Sequence, residues 1–133
     1  DHAGTGKTFL AMYMALEQVL DKETPYEQLL IVRSIVPTKE IGFLPGDIEE
    51  KIAVYVAPYR SCASEMFYDK GAYDKLKHNG YVDFKPTSFI RGETYHNTII
   101  LVDEMQNLNF HELDSIITRV GQDSKMIFCG DFW

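Results

Sequence analysis

The chain has 133 residues, 45% of them apolar, and a formal net charge of −7 from 13 basic and 20 acidic side chains. That is one domain with enough apolar content for a packed core, and its acidity argues against a broad nucleic-acid-binding surface. No apolar run approaches membrane-spanning length, no signal-peptide pattern is read, and Cys62 and Cys129 match no metal or redox spacing, so no membrane association and a cytoplasmic setting with reduced thiols are expected.

The first informative segment is Ala3-Gly4-Thr5-Gly6-Lys7-Thr8. Glycines let a backbone curl around phosphate oxygens with its N–H groups turned inward. A helix that follows directly turns its positive end to the same anion. In this P-loop pattern Lys7 reaches the β- and γ-phosphates and Thr8 gives its hydroxyl to Mg²⁺. The pattern departs from the usual Gly-x-x-x-x-Gly-Lys-Ser/Thr at its first position, where Asp1 stands. The plainer alternative is a Gly-rich turn with Lys7 as a solvated charge.

From Lys7 to Leu20 apolar residues recur at three and four, which predicts an amphipathic helix stopped at Thr24-Pro25. Leu29 to Val36 is a near-continuous apolar and β-branched run, suited to a strand buried on both faces of a parallel sheet. Arg33 lies inside it and so needs a partner. Gly42-Phe43-Leu44-Pro45-Gly46-Asp47 reads as a loop, with Asp47 capping a helix that runs to about Phe67 and is kinked or divided at Pro58. Residues 68–80 predict a second, more polar helical piece, and Val82 to Ile90 a strand broken at Pro86. Between Tyr68 and Lys85, lysines alternate with aromatic residues as in single-strand nucleic-acid binders, but Asp69, Asp74 and Asp83 cancel most of that charge. A solvated helix face over core aromatics is favoured there.

Asn97 to Asp103 contains a further buried strand, and Asn109 with Glu112 forms a capping box ahead of a helix closed by Gly121. Lys125 to Cys129 is the last strand, followed by Gly130-Asp131. Strands alternating with helices predict an α/β fold with a mostly parallel sheet. Four apolar residues, Ile99 to Val102, followed by Asp103-Glu104 form the Walker B pattern. Asp103 supports Mg²⁺ through water and Glu104 orients or deprotonates the attacking water. Gln106 is placed to bring its amide near the γ-phosphate, with a plain helix-start role as the alternative. Asp131, at another strand end, is a candidate for the surroundings of the site, with capping of the turn at Gly130 as the equal alternative. Arg60, Arg91 and Arg119 read as surface or ion-pair residues, and no arginine finger is identified. His2, His78, His96 and His111 are isolated and read as structural or surface residues.

Together these motifs resemble the PhoH-like family of P-loop NTPases, in its phage form. The resemblance rests on the P-loop residues, Gly42 to Asp47, Phe89-Ile90-Arg91-Gly92, Val102 to Asn107, Thr118 to Gly121, and Ser124-Lys125-Met126 through Gly130-Asp131. It implies a P-loop NTPase core related to superfamily 1 helicase motor domains, truncated within residues 1–133 because the strand before the P-loop is missing. The resemblance implies that the family pattern would continue past Asp131-Phe132-Trp133 through a glutamine and further basic motifs. The resemblance also implies ATP and Mg²⁺ as ligands and ATP hydrolysis in the complete protein. Ala3 to Thr8 would bind nucleotide, Lys7, Glu104 and Gln106 would be catalytic, and Thr8 and Asp103 would hold the metal. A link to phosphate starvation and bacteriophage origin, hence a host-cytoplasmic location, come with it. Single-stranded RNA or DNA, or a second copy of the chain, are the macromolecular partners it allows. Two other activities fit the motifs: a nucleic-acid-stimulated motor, and a nucleotide-regulated binding module without turnover.

Overall fold

The computed structural model describes residues 5–35, 48–90 and 92–131. The Gly42 to Asp47 loop, Ala3, Gly4 and Arg91 therefore lie outside the described residues, as does any strand ahead of the P-loop. The elements run α1 (Thr5–Val19), β1 (Gln28–Arg33), α2 (Ile48–Phe67), α3 (Ala72–His78), β2 (Val82–Pro86), β3 (Thr98–Val102), α4 (Phe110–Ile117) and β4 (Lys125–Phe128). The four strands form one sheet in the order β2-β1-β3-β4, and every pairing is parallel. This is the α/β arrangement expected from the alternating pattern, a parallel sheet flanked by helices.

The two faces of the sheet bury different residues because side chains alternate along each strand. Leu29, Ile31, Ile99 and Leu101 face α1 and α2, where Met12, Leu16, Val56, Tyr59 and Ala63 complete one core cluster. Leu30, Val32, Ile100 and Val102 face the other way, onto Ile90, Tyr95 and Ile116. All five residues of β3 are buried, Ile99 to Val102 as their uninterrupted apolar run requires. Each such aliphatic side chain contributes about 1.5–3 kcal/mol by leaving water.

Pro58 does not divide α2, which is one helix of 20 residues. The carbonyl that loses its donor belongs to Val54, an exposed residue, so water can take the missing place. The polar segment gives the shorter α3 and the strand stops at Pro86, followed by a turn of 3₁₀ helix over Thr87–Phe89. Helix α4 ends at Ile117, before Gly121. Beyond it the backbone pairs in parallel with the segment ahead of β3: Tyr95 N–H donates to Arg119 O at 2.8 Å and Gly121 N–H to Tyr95 O at 2.8 Å. Gly121 is small for that reason, since a Cβ there would fall 2.7 Å from Tyr95 O and 2.6 Å from His96 Nδ1.

The capping box of α4 is present in both directions: Glu112 N–H donates to Asn109 Oδ1 at 2.8 Å and Asn109 N–H to Glu112 Oε1 at 3.1 Å. Glu112 does more than cap. Its Oε2 accepts from Ser34 Oγ and from Thr87 Oγ1, both at 2.6 Å, which ties α4 to the ends of β1 and β2. Burial raises the Glu112 pKa, but these two hydroxyls and the Asn109 amide outweigh it and hold the carboxyl below its ordinary 4.5. A depressed carboxyl stabilises the fold above pH 4.5, and that stabilisation is lost as pH falls through the folded value. Glu112→Gln is therefore expected to cost about 1–2 kcal/mol at neutral pH, since an amide cannot accept from all three donors at once. Urea denaturation at pH 7 and pH 3 checks this: the gap between the two proteins should shrink at the lower pH, and a constant gap would refute it.

Candidate nucleotide site

Parallel strands set all their C-terminal ends on one side of a sheet, and ligands of open α/β sheets gather there. Here that side holds the ends of β1, β3 and β4 and the start of α1. Helix α1 begins at Thr5, so its first unpaired N–H groups and the positive end of its dipole face this corner.

Thr8, in the first turns of α1, is buried, and its hydroxyl lies 3.3 Å from Asp103 Oδ1 and 3.4 Å from Oδ2. The two residues are 95 positions apart in sequence. Asp103 follows β3 directly and is itself only 5% exposed. Its backbone N–H donates to Val32 O at 3.0 Å, continuing the β1–β3 ladder one residue past the strand and fixing where the carboxylate begins. Lys7 is exposed, and its ammonium sits 3.4 Å from Asp131 Oδ1. So Lys7, Thr8, Asp103 and Asp131, from three separate segments, meet at one corner.

Glu104 and Gln106 join them through a chain of hydrogen bonds. Glu104 has φ 52°, in the left-handed region that non-glycine residues rarely occupy. Two bonds to its flanks pin that conformation: its own N–H donates to Asp103 Oδ1 at 2.9 Å, and Met105 N–H donates to Cys129 O at 3.0 Å. The turn delivers the Glu104 carboxylate to Gln106, whose Nε2 donates to Oε1 at 3.1 Å, and to Arg33, whose guanidinium lies 3.8 Å from Oε2. Arg33 thereby has the partner that its position in a buried strand demanded, and its guanidinium also lies 5.5 Å from the centre of the Tyr55 ring. Gln106 Oε1 in turn accepts from Asp131 N–H at 3.1 Å. Gly130 makes room for this approach, because a Cβ there would stand 2.5 Å from Gln106 Oε1.

The motif pattern did not single out Tyr59. It projects from α2, fully buried, and donates its phenol to Asp103 Oδ2 at 2.5 Å. Burial first, and then the Asp103 charge, push this phenol well above the ordinary tyrosine range, so it remains a donor. The one available signal was chemical: a tyrosine on the inner face of a helix needs a partner for its hydroxyl.

The remaining predicted residues fall elsewhere. Arg60 pairs with Asp74 at 2.7 Å on the surface, and Arg119 lies beside Thr118. His96 Nδ1 accepts from Gln122 N–H at 3.0 Å, a structural role, while His78 and His111 are exposed. In the Tyr68 to Lys85 segment Tyr73 and Phe84 are core residues. Lys75, Lys77 and Lys85 pair with Asp69, Asp83 and Glu93. Both cysteines are free thiols, each with its pKa raised by burial first. No helix among the described residues is long and apolar enough to cross a membrane.

One hydroxyl and one carboxylate held together out of solvent suit Mg²⁺, which takes one or two protein oxygens and fills its shell with water and substrate phosphate; the Cys129 thiol stands beside them, its Sγ 3.9 Å from Thr8 Oγ1, and is a soft donor that Mg²⁺ does not use. Thr8 and Asp103 thus fit the metal implied by the motif.

The model of the PhoH-like protein family matches residues 1–133. Among curated proteins the chain is 37% identical over 130 residues to a PhoH-like protein of Synechocystis sp. and 38% identical over 133 residues to Protein PhoH2 of Bacillus subtilis. It is 31% identical over 131 residues to Protein PhoH of Escherichia coli. Each alignment takes in 97% of this chain but only 39%, 30% and 36% of those relatives, so the chain spans roughly a third of their length. With the sheet order, the start of α1 and the Thr8–Asp103 corner already in place, the match over residues 1–133 settles the assignment: the chain belongs to the PhoH-like family of P-loop proteins.

Proposed function

We propose that this domain binds Mg-ATP and, in the full protein, hydrolyses it. The observation that carries the reading is the buried meeting of Thr8, at the start of α1, with Asp103, at the end of β3. A phosphate seated on the first turn of α1 would face the helix N–H groups, and the Lys7 ammonium would leave its weak pairing with Asp131 for the phosphate oxygens. Exposed ion pairs of this kind are worth about 0–1 kcal/mol, so the exchange costs little. Thr8 would hold Mg²⁺ directly and Asp103 through water; the ion supplies charge neutralisation on the phosphates.

Glu104 would take the proton of the attacking water. Its side chain is one-third exposed, so water reaches it, and Gln106 and Arg33 hold its two oxygens apart in fixed directions. Gln106 bridges Glu104 to the Asp131 backbone, so it would report a change at the γ-phosphate to the end of β4.

Phosphate release from ATP, with and without Mg²⁺ and single-stranded RNA or DNA, tests this. Mg-dependent release is expected. Tight binding with no release under any condition would leave a nucleotide-regulated binding module, and turnover only with nucleic acid would favour a motor. Failure to bind ATP would remove the proposal.

A further inference from the structure

We infer that Tyr59 is a positioning residue for the metal corner, holding the Asp103 carboxylate in the orientation that faces Thr8; this rests on the reading of Asp103 as the metal's carboxylate. A carboxylate can turn about its last bond, and a water bound to Mg²⁺ needs one of its lone pairs held in a fixed direction. Around Asp103 the backbone N–H of Glu104 holds Oδ1 at 2.9 Å and the Tyr59 hydroxyl holds Oδ2 at 2.5 Å. Thr8 lies nearly equidistant from both oxygens, at 3.3 and 3.4 Å. Two donors on opposite oxygens fix the carboxylate plane, and the remaining lone pairs open toward Thr8.

Tyr59 is itself fixed. It is fully buried on α2, and its ring packs on Phe84 of β2, 5.9 Å between centroids at 34°. Its hydroxyl is therefore placed by packing rather than by a flexible stem. Partners that orient metal ligands typically contribute about ten- to hundredfold in metal affinity or activity. A purely structural tyrosine would contribute stability alone, so the two roles separate in experiment.

Tyr59→Phe keeps the ring and deletes only the hydroxyl. The measurements are Mn²⁺ affinity by electron paramagnetic resonance with a non-hydrolysable ATP analogue bound, nucleotide affinity without metal, and melting temperature without ligands. The expected result is Mn²⁺ binding weakened about tenfold or more, with metal-free nucleotide affinity unchanged. Phe84→Leu, which loosens the ring's packing without touching the hydroxyl, should lower the melting temperature and weaken Mn²⁺ binding less than Tyr59→Phe. Unchanged Mn²⁺ affinity in Tyr59→Phe would overturn the inference when Asp103→Asn does weaken it. If Asp103→Asn also leaves Mn²⁺ binding unchanged, the reading of Asp103 as the metal's carboxylate fails first. Should Tyr59→Phe not fold, 3-fluorotyrosine placed at position 59 alters the donor strength within the same shape: a shifted Mn²⁺ affinity supports the role, and an unshifted one rejects it.

Discussion

Glu104→Gln in the full protein is expected to bind Mg-ATP as tightly as the parent and to hydrolyse it about 10²–10⁴-fold more slowly, the usual contribution of a positioned general base. The substitution keeps the size of the side chain and can keep one hydrogen bond with Gln106, since an amide oxygen still accepts from Nε2. It removes the negative charge that faces Arg33 at 3.8 Å, and because the guanidinium is largely buried that loss also costs some stability. Turnover should collapse far beyond anything the loss of stability explains, since the folded variant still binds nucleotide. Single-turnover phosphate release beside equilibrium titration of the ATP analogue separates the two quantities. A variant that turns over at the parent's rate would move the water-activating role elsewhere, with Asp131 the next carboxylate to examine.

Lys7→Ala is expected to lose about ten- to hundredfold in ATP affinity. One charge-assisted hydrogen bond is worth roughly 1.5–3 kcal/mol, and each 1.4 kcal/mol is tenfold. Without nucleotide the same change should leave the melting temperature nearly untouched, because Lys7 is exposed and its pairing with Asp131 spans 3.4 Å in water. Titration calorimetry with Mg-ATP reads the first effect and thermal denaturation the second. Unchanged affinity would dismiss the P-loop reading and leave Lys7 a solvated charge.

Much of this corner was legible as pattern. The run Thr98 to Val102 could only be a strand buried on both faces, and that burial fixes where Asp103 and Glu104 emerge. Asn109 and Glu112 announced a helix start because the capping box is a local arrangement of four residues. What escaped was set by distance. Nothing around Tyr59 says that its hydroxyl meets a carboxylate 44 residues away, and helical periodicity places it inward without naming its neighbour. The ties of Glu112 to Ser34 and Thr87 are invisible for the same reason. Gly121 does not stop the helix as its pattern predicts, because glycine has two uses, and here it is the close approach to Tyr95 that excludes a side chain. The left-handed turn at Glu104 likewise follows from where Cys129 stands, not from the glutamate itself.

The strand order carries a consequence for how the corner comes together. β1 and β3 lie side by side although about 70 residues separate them, as Gln28 and Thr98 show. Closing a loop of that length costs about 1.7 kcal/mol more chain entropy than closing one of ten residues. Thr8 and Asp103 span a longer interval still, 95 residues. A nucleotide with its metal, seated across them, would act as a clasp between distant stretches of chain. Saturating ligand at a hundred times its dissociation constant would stabilise the native state by about 2.7 kcal/mol. In such a topology occupancy of the site and integrity of the sheet would be coupled, and the empty domain would be the one more exposed to unfolding and proteolysis.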